Sequence, residues 1–104
     1  MTTNKEDAKR DSVLGNLKQI LVIDDNPDDR ALTVRALSLD FPTVTIKQIR
    51  SMDDFDAALK DRSFDLVITD YKVHWIDGIE VLRRVKEVNA DCPVIMFTGT
   101  GNEE

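Results

Sequence analysis

The sequence predicts an α/β domain in which helices cover both faces of a doubly wound parallel sheet. Short apolar runs that end in carboxylates or Thr-Gly are typical of buried strands, and they occupy residues 20–23 (ILVI), 66–68 (LVI) and 94–97 (VIMF). Segments with helical start signals separate these runs. Strands and helices that alternate through short connections form parallel sheets by right-handed crossovers. Ligands are then expected beyond the carboxyl ends of the strands.

A fourth strand is predicted over residues 44–47 (VTIK), where apolar and polar side chains alternate. Alternation of this kind is typical of a strand near the edge of a sheet, with one face in contact with solvent. The predicted domain is therefore strand then helix, three times over, followed by a last strand.

The first helix is predicted to begin at Asn26, a residue that can cap it, with Pro27 at its first position. Asp28 and Asp29 suit the positive end of the helix dipole. The apolar residues that fall on one face of this helix are Leu32, Ala36 and Leu39.

Two further helices carry weaker start signals. Ser51 with Asp54 resembles a capping box, and the apolar residues that follow at helical spacing are Phe55, Ala58 and Leu59. The third helix is predicted to start near Asp77 and Gly78, and its successive turns are marked by Ile79, Leu82 and Val85 or Lys86.

Composition narrows the class of protein. The 104 residues suit one domain, with a polar extension expected over residues 1–17 and the folded domain over residues 18–104. A net charge of -6 and the lack of a Lys/Arg block disfavour direct binding to nucleic acid or an anionic membrane. Cys92 is the single cysteine, which excludes an internal disulfide. No signal-peptide core or membrane-length segment is found, so a cytoplasmic location is expected.

Three carboxylates are expected to meet at one edge of the sheet. Asp24 and Asp25 end the first strand and Asp70 ends the third. Like charges repel unless a hard cation offsets them, and Mg2+ prefers a few carboxylate or carbonyl oxygens, waters and a phosphate oxygen. Thr98 ends the last strand, so its hydroxyl is expected at the same edge, where it can donate to a phosphoryl oxygen. The pattern predicts Mg2+-assisted phosphoryl chemistry.

Four motifs in this order resemble the signature of response-regulator receiver domains: residues 20–26 (ILVIDDN), 65–70 (DLVITD), 77–78 (DG) and 93–99 (PVIMFTG). The resemblance covers about residues 18–102 and implies a flavodoxin-like sheet with strand order 2-1-3-4. It implies that a histidine kinase or phosphotransfer domain of a two-component phosphorelay phosphorylates Asp70. It also implies that Asp24 and Asp25 help to hold Mg2+, with Asp25 a direct ligand, that the main-chain carbonyl of Lys72 is another ligand, and that Thr98 senses the phosphoryl group.

The chain departs from this family in two places. His74 stands where the family commonly has Pro, and it is interpreted as a surface residue rather than a phosphoryl carrier or metal ligand. Trp75 beside it is expected to pack or to contact a partner. Receivers also continue through a helix, a fifth strand bearing a Lys and a last helix, none of which is found up to residue 104. The domain is therefore expected to be C-terminally incomplete, and its open last strand is expected to drive self-association.

Two other functions are compatible with parts of the pattern. A degenerate receiver used only for protein contacts is favoured by the missing C-terminal third and opposed by the intact carboxylates. A haloacid-dehalogenase type of phosphatase, with Asp24 as nucleophile, needs Asp, one residue, Asp, then Thr, whereas this chain has adjacent Asp24 and Asp25 followed by Asn26. A signalling phosphoacceptor, which is not an enzyme that turns over many substrates, is the leading interpretation.

Overall fold

The computed structural model describes residues 17–97 of the chain, so Thr98 and the first sixteen residues lie outside the described part. Within residues 17–97, strands and helices alternate as the sequence predicts, apart from one added hairpin. The elements are β1 (Gln19–Ile23), α1 (Pro27–Asp40), β2 (Thr45–Ile49), α2 (Met52–Asp61), β3 (Leu66–Asp70), β4 (Lys72–Val73), β5 (Ile76–Asp77), α3 (Gly78–Val88) and β6 (Val94–Phe97).

The main sheet is parallel and has the strand order β2-β1-β3-β6. This is the predicted order 2-1-3-4, and the doubly wound, flavodoxin-like class is confirmed. β2 lies at one edge, and its alternating exposed and half-buried residues agree with the prediction of an edge strand. β1 and β3 lie in the middle and are buried along nearly their whole length.

Each face of the sheet has its own apolar core, because side chains alternate between faces along a strand. α1 covers one face over a core made of Leu17, Ile20, Val22, Leu66 and Ile68. α2 and α3 cover the other face over a larger core made of Leu21, Ile23, Ile49, Phe55, Ala58, Phe64, Val67, Val73, Ile76, Val81, Val85 and Cys92. Cys92 is therefore a packing residue, and its burial raises the pKa of the thiol.

The three predicted helix starts are confirmed by capping hydrogen bonds. The side chain of Asn26 accepts hydrogen bonds from the N–H groups of Asp28 and Asp29, at 2.9 and 3.1 Å. Ser51 accepts one from Asp54 and Asp77 accepts one from Glu80, at 3.1 and 2.8 Å. These contacts satisfy N–H groups that a helix leaves without internal partners. Of the helices in the described part, none has the length and apolar content needed to cross a membrane.

The predicted apolar face of α1 is wrong, and that of α3 is wrong in part. Leu32, Ala36 and Leu39 of α1 are all exposed, Leu32 and Leu39 by 66% and 74%, and the side that faces the sheet contains half-buried Arg30, Thr33, Val34 and Leu37. In α3, Ile79 is exposed, whereas Val81 and Val85 are buried. Both helices carry apolar residues on two sides, so helical spacing alone could not decide which side packs against the sheet.

The hairpin of β4 and β5 was not predicted. Its antiparallel strands pair Lys72 with Asp77 and Val73 with Ile76, and His74 and Trp75 form its turn. Val73 and Ile76 are buried in the larger core, and Trp75 packs against that core from its edge. The hairpin therefore fixes the loop that follows Asp70.

Candidate functional site

Strand register brings Asp24 and Asp70 side by side. β1 and β3 are parallel neighbours in which the last residue of β1, Ile23, pairs with Thr69. The residues that follow, Asp24 and Asp70, therefore lie near each other, and the charge of Asp70 raises the pKa of Asp24. Asp70 in turn pairs with Phe97 at the end of β6. Thr98 directly follows Phe97, and its predicted contact with the site concerns a residue outside the described part. Two of the three predicted carboxylates, those of Asp24 and Asp70, therefore lie together at the carboxyl edge of the sheet.

Asp24 lies half-buried among other acidic groups. Burial raises the pKa of its carboxyl group, the N–H of Asn26 at 3.0 Å opposes this shift, and the charges of Asp70, Asp29 and Asp25 raise the pKa further. The net result is a pKa above the ordinary value for an aspartate. Ionised Asp24 is thus electrostatically unfavourable in the folded chain, and a nearby cation would offset this cost.

An Asp24→Asn protein is expected to be more stable than the parent at about pH 7 in the absence of divalent cations. The raised pKa means that the folded state holds the Asp24 proton more tightly than the unfolded state, so the contribution of Asp24 to stability is lost as the pH rises from the ordinary pKa of an aspartate through the raised pKa of Asp24. Asn removes that cost and keeps an oxygen for the Asn26 N–H. Urea unfolding of both proteins with a chelator, at about pH 7 and at lower pH, measures the difference.

The gain is expected to shrink as the pH falls. An Asp91→Asn change serves as a control for the lost charge, because Asp91 is exposed and lies outside the helices, away from the helix dipoles. An Asp24→Asn protein that is less stable than the parent at every pH would contradict the electrostatic account.

Asp25 is held by the hairpin turn. The backbone N–H of His74 donates to Asp25 Oδ2 at 2.8 Å, and the His74 ring contacts the same oxygen through Nδ1. Although partial burial opposes it, these hydrogen bonds and the nearby imidazole lower the pKa of Asp25 below its ordinary value. Asp25 is therefore an ionised ligand candidate beside a more easily protonated Asp24.

Asp70 is half-buried at the end of β3, with the hairpin beginning two residues later. The N–H of Lys72 lies 3.4 Å from Asp70 Oδ1, which is a long hydrogen bond. The N–H of Tyr71 donates to the carbonyl of Phe97 at 2.7 Å, and the Tyr71 carbonyl accepts from Gly78 at 2.8 Å. These bonds tie the segment after β3 to β6 and to the start of α3.

Gly78 allows that close approach. A Cβ at this position would lie 2.8 Å from the sulfur of Met96 and 3.1 Å from Cα of Tyr71. The Asp77-Gly78 motif therefore has two structural uses, since Asp77 caps α3 and Gly78 lets the helix start against the loop after Asp70.

The described residues contain no group of three or more His, Cys, Asp or Glu side chains arranged to hold a metal ion on their own. Mg2+ does not require such a cage, because it usually takes one or two carboxylates and completes its shell with waters and phosphate oxygens. The chemistry of the site suits that cation, because the charges of Asp70, Asp29 and Asp25 lie close enough to raise the pKa of Asp24 beyond the effect of burial.

Sequence reasoning did not identify two residues that shape the site. His74 binds Asp25 across 49 positions of sequence. Arg30 donates to the main-chain carbonyl of Asp24 at 2.7 Å and to the side chain of Gln48 at 3.0 Å, so it ties α1 to the end of β1 and to β2. The sequence offers one signal for the contacts of Arg30, which is its position one helical turn after the Asn26 cap and therefore close to the end of β1.

Comparison with known proteins supports the same family over most of the chain. A family model described as the response regulator receiver domain matches residues 20–104. The C4-dicarboxylate transport transcriptional regulatory protein DctD of Pseudomonas aeruginosa is 38% identical over 85 residues, covering 81% of this chain and 18% of that protein. The phosphate regulon transcriptional regulatory protein PhoB of the same organism is 32% identical over 89 residues, covering 84% of this chain and 38% of that protein. The chain thus spans less than half of either relative.

Solved structures show the same architecture. The MaeR response regulator bound to beryllium trifluoride superposes with a TM-score of 0.70 at 25% identity, over 84% of this chain and 70% of that one. The N-terminal domain of a response regulator receiver protein from Methanoculleus marisnigri JR1 gives a TM-score of 0.66 at 30% identity, over 85% and 72% of the two chains.

Proposed function

Because the chain belongs to the response regulator receiver domain family, we propose that it accepts a phosphoryl group on Asp70 from a histidine kinase or a phosphotransfer domain. The observation that most directly supports this proposal is the register of β1 and β3, because it brings Asp70 next to Asp24 at the carboxyl edge of the sheet. Asp25 follows Asp24 directly and completes the acidic edge. The proposed activity is that of a signalling phosphoacceptor.

The proposed chemistry is an in-line displacement at phosphorus. A carboxylate oxygen of Asp70 forms the new P–O bond while the bond from phosphorus to the ring nitrogen of a phosphohistidine breaks. The electron pair leaves with that nitrogen, and the product is an acyl phosphate on Asp70. Such a transfer depends chiefly on positioning and on compensation of charge.

Mg2+ is the proposed cofactor, and when bound it supplies positive charge for the phosphoryl oxygens. The proposed protein ligands are Asp25, Asp24, Asp70 and the main-chain carbonyl of Lys72. The strand register and the acidic surroundings of Asp24 support the three carboxylates. Lys72 is supported by its place in β4, two residues after the acceptor. Thr98 remains the proposed phosphoryl-sensing residue because it follows Phe97, the register partner of Asp70.

Labelling of the chain by acetyl phosphate is expected to require Mg2+ and to be lost almost entirely in an Asp25→Ala protein. The physical reason is that the acidic edge repels a phosphodonor unless a cation offsets its charge. Phosphorylated protein is measured by intact mass with Mg2+, with a chelator, and with Mg2+ restored. Asp40→Asn is the control for a lost carboxylate elsewhere. Full labelling of the Asp25→Ala protein, or of the parent with a chelator, would contradict the proposed Mg2+ site.

The same measurement separates the proposed function from a module that only contacts other proteins. Such a module would incorporate no phosphoryl group under any of these conditions, and a phosphatase would consume many donor molecules per chain. The intact acidic edge favours the phosphoacceptor. We propose a receiver domain over residues 18–104 after a polar extension over residues 1–17, whose last residue, Leu17, already packs in the core under α1. We further propose that the domain acts in the cytoplasm, with no direct role in nucleic-acid or membrane binding.

Self-association through the β6 side of the sheet is a further part of the proposal. Among the described strands, none pairs with the outer edge of β6. Ile95 and Phe97 are 46% and 50% exposed, and Ile95 is the register partner of Ile68, a residue of the core under α1. Unpaired strand edges beside exposed apolar side chains favour strand addition, and a symmetric dimer is its simplest closed form.

An Ile95→Lys protein is expected to sediment as a monomer at micromolar concentrations at which the 104-residue parent is mainly a dimer. A charged side chain on this face opposes burial against a second copy. Ile79→Lys is the matched control, because Ile79 is an exposed isoleucine of α3 on the other side of the sheet. A parent chain that sediments as a stable monomer would show that the proposed self-association is wrong.

A further inference from the structure

The position of His74 is set by buried neighbours. It forms the turn between β4 and β5 together with Trp75. Val73 and Ile76 on either side of the turn are buried in the larger core. Trp75 packs against the same core, and its ring centroid lies 6.2 Å from that of Phe55. The hairpin thus holds the His74 backbone in a defined place beside the end of β1.

Two groups of His74 reach one oxygen of Asp25. The backbone N–H donates to Oδ2 at 2.8 Å, and ring Nδ1 contacts Oδ2 as well. Neither contact uses Oδ1. A carboxylate that is held through one oxygen cannot rotate freely, so the direction of its other oxygen is also restricted.

The His74 ring does not act as a packing group. The side chain is 91% exposed, whereas that of Asp25 is only 24% exposed. An exposed ring adds little to the stability of the fold, and within residues 17–97 the hydrogen bond that the structure gives this ring is the one to Asp25. The contact between His74 and Asp25 therefore orients a carboxylate at the edge of the sheet and does not stabilise the core.

From this geometry we infer that His74 is a positioning residue, which holds Asp25 through Oδ2 and leaves Oδ1 for the cation. The inference rests on the proposed function, since Asp25 is a metal ligand only in that proposal. Carboxylates that bind metals are commonly oriented by hydrogen bonds from neighbouring groups, and loss of such a partner typically weakens metal binding about 10- to 100-fold. Because the ring supplies only one of the two contacts, the lower end of that range is expected here.

Calorimetric titration with Mg2+ alone tests the inference on four proteins: the parent, His74→Ala, His74→Asn and Asp25→Ala. We expect His74→Ala to bind Mg2+ about tenfold more weakly than the parent. Asn keeps an N–H donor close to where Nδ1 lies in the imidazole, so His74→Asn is expected to recover most of the lost affinity. Equal thermal midpoints of the parent and both His74 variants verify that the fold is unchanged, as an exposed ring predicts.

The outcomes separate this inference from the proposed function. If the parent binds Mg2+ and Asp25→Ala does not, the metal site stands. A His74→Ala protein that then binds Mg2+ as tightly as the parent, or more tightly, overturns the positioning role. An equal loss in His74→Asn and His74→Ala also overturns it, because a hydrogen-bond donor would not have been what mattered. If the parent shows no binding that depends on Asp25, the Mg2+ site of the proposed function fails and the inference fails with it.

Discussion

An Asp70→Asn protein is expected to take up no phosphoryl group from acetyl phosphate, whereas the parent chain should approach about one group per chain. The amide has almost the shape of the carboxylate but lacks its nucleophilic anionic oxygen. The half-buried position of Asp70 at the end of β3 can accommodate this change, so the loss would come from chemistry and not from unfolding. The parent's label is expected to be labile to base, because an acyl phosphate hydrolyses readily.

Asp40→Asn provides the matched control, since it removes the same charge from the exposed last residue of α1. It should label as well as the parent. Intact mass spectrometry of the three proteins, after equal exposure to the donor with Mg2+, gives the stoichiometry directly. Label at full stoichiometry in the Asp70→Asn protein would move the acceptor to another residue.

A Phe55→Ala change is expected to lower the free energy of unfolding by about 3–5 kcal/mol. Phe55 is 0% exposed and lies in the larger core, where its ring meets Trp75 at a tilted angle. Its loss removes apolar contact area and leaves a cavity between α2 and the hairpin. Small domains are typically stable by only about 5–15 kcal/mol, so this one change is expected to bring the fold close to its limit.

Urea unfolding followed by the fluorescence of Trp75, the single tryptophan of the chain, measures the effect. Leu39→Ala serves as the control because Leu39 is largely exposed on α1, and it should change the free energy of unfolding by less than about 0.5 kcal/mol. A Phe55→Ala protein that loses less than about 1 kcal/mol would show that the core is packed differently.

The sheet was predictable from the sequence because its signals are local and strong. The runs around Ile20 and Leu66 are apolar over four and three residues, and an aspartate follows the first directly and the second after Thr69, so strand identity and direction follow from the residues themselves. The caps at Asn26 and Ser51 are likewise local, since donor and acceptor lie within three positions. The strand order needed the family resemblance, because pairing between distant strands leaves no local signal.

The orientation of α1 and the hairpin were not predictable in the same way. Leu32 and Leu39 are apolar but exposed, while Arg30 lies on the inner side because it can donate to Asp24 and Gln48. Because half-buried Leu37 also lies on the inner side, apolar residues stand on both sides of α1, and only the hydrogen bonds of Arg30 in the fold show which side faces the sheet. β4 and β5 have only two residues each, too few for an alternating pattern to be recognised.

For the site, the adjacency of Asp24 and Asp70 followed from predicted strand ends and parallel pairing. The hold of His74 on Asp25 did not follow, because it depends on a hairpin that brings together residues 49 positions apart. His74 was interpreted from the sequence as a surface residue, and its side chain is indeed exposed. Its contact with the acidic edge is the part that only the fold reveals.

The most direct test of the central claim is to locate the phosphoryl group on the phosphorylated parent chain. Borohydride reduces an acyl phosphate to an alcohol with release of phosphate, which marks the acceptor permanently. Cleavage after Lys and Arg then places Asp70 in residues 63–72, Asp24 and Asp25 in residues 19–30, and His74 in residues 73–83. Fragmentation of the peptide 63–72 distinguishes Asp70 from Asp65. The account predicts a reduced residue at Asp70 alone, and a mark confined to residues 19–30, or at Asp65, would contradict it.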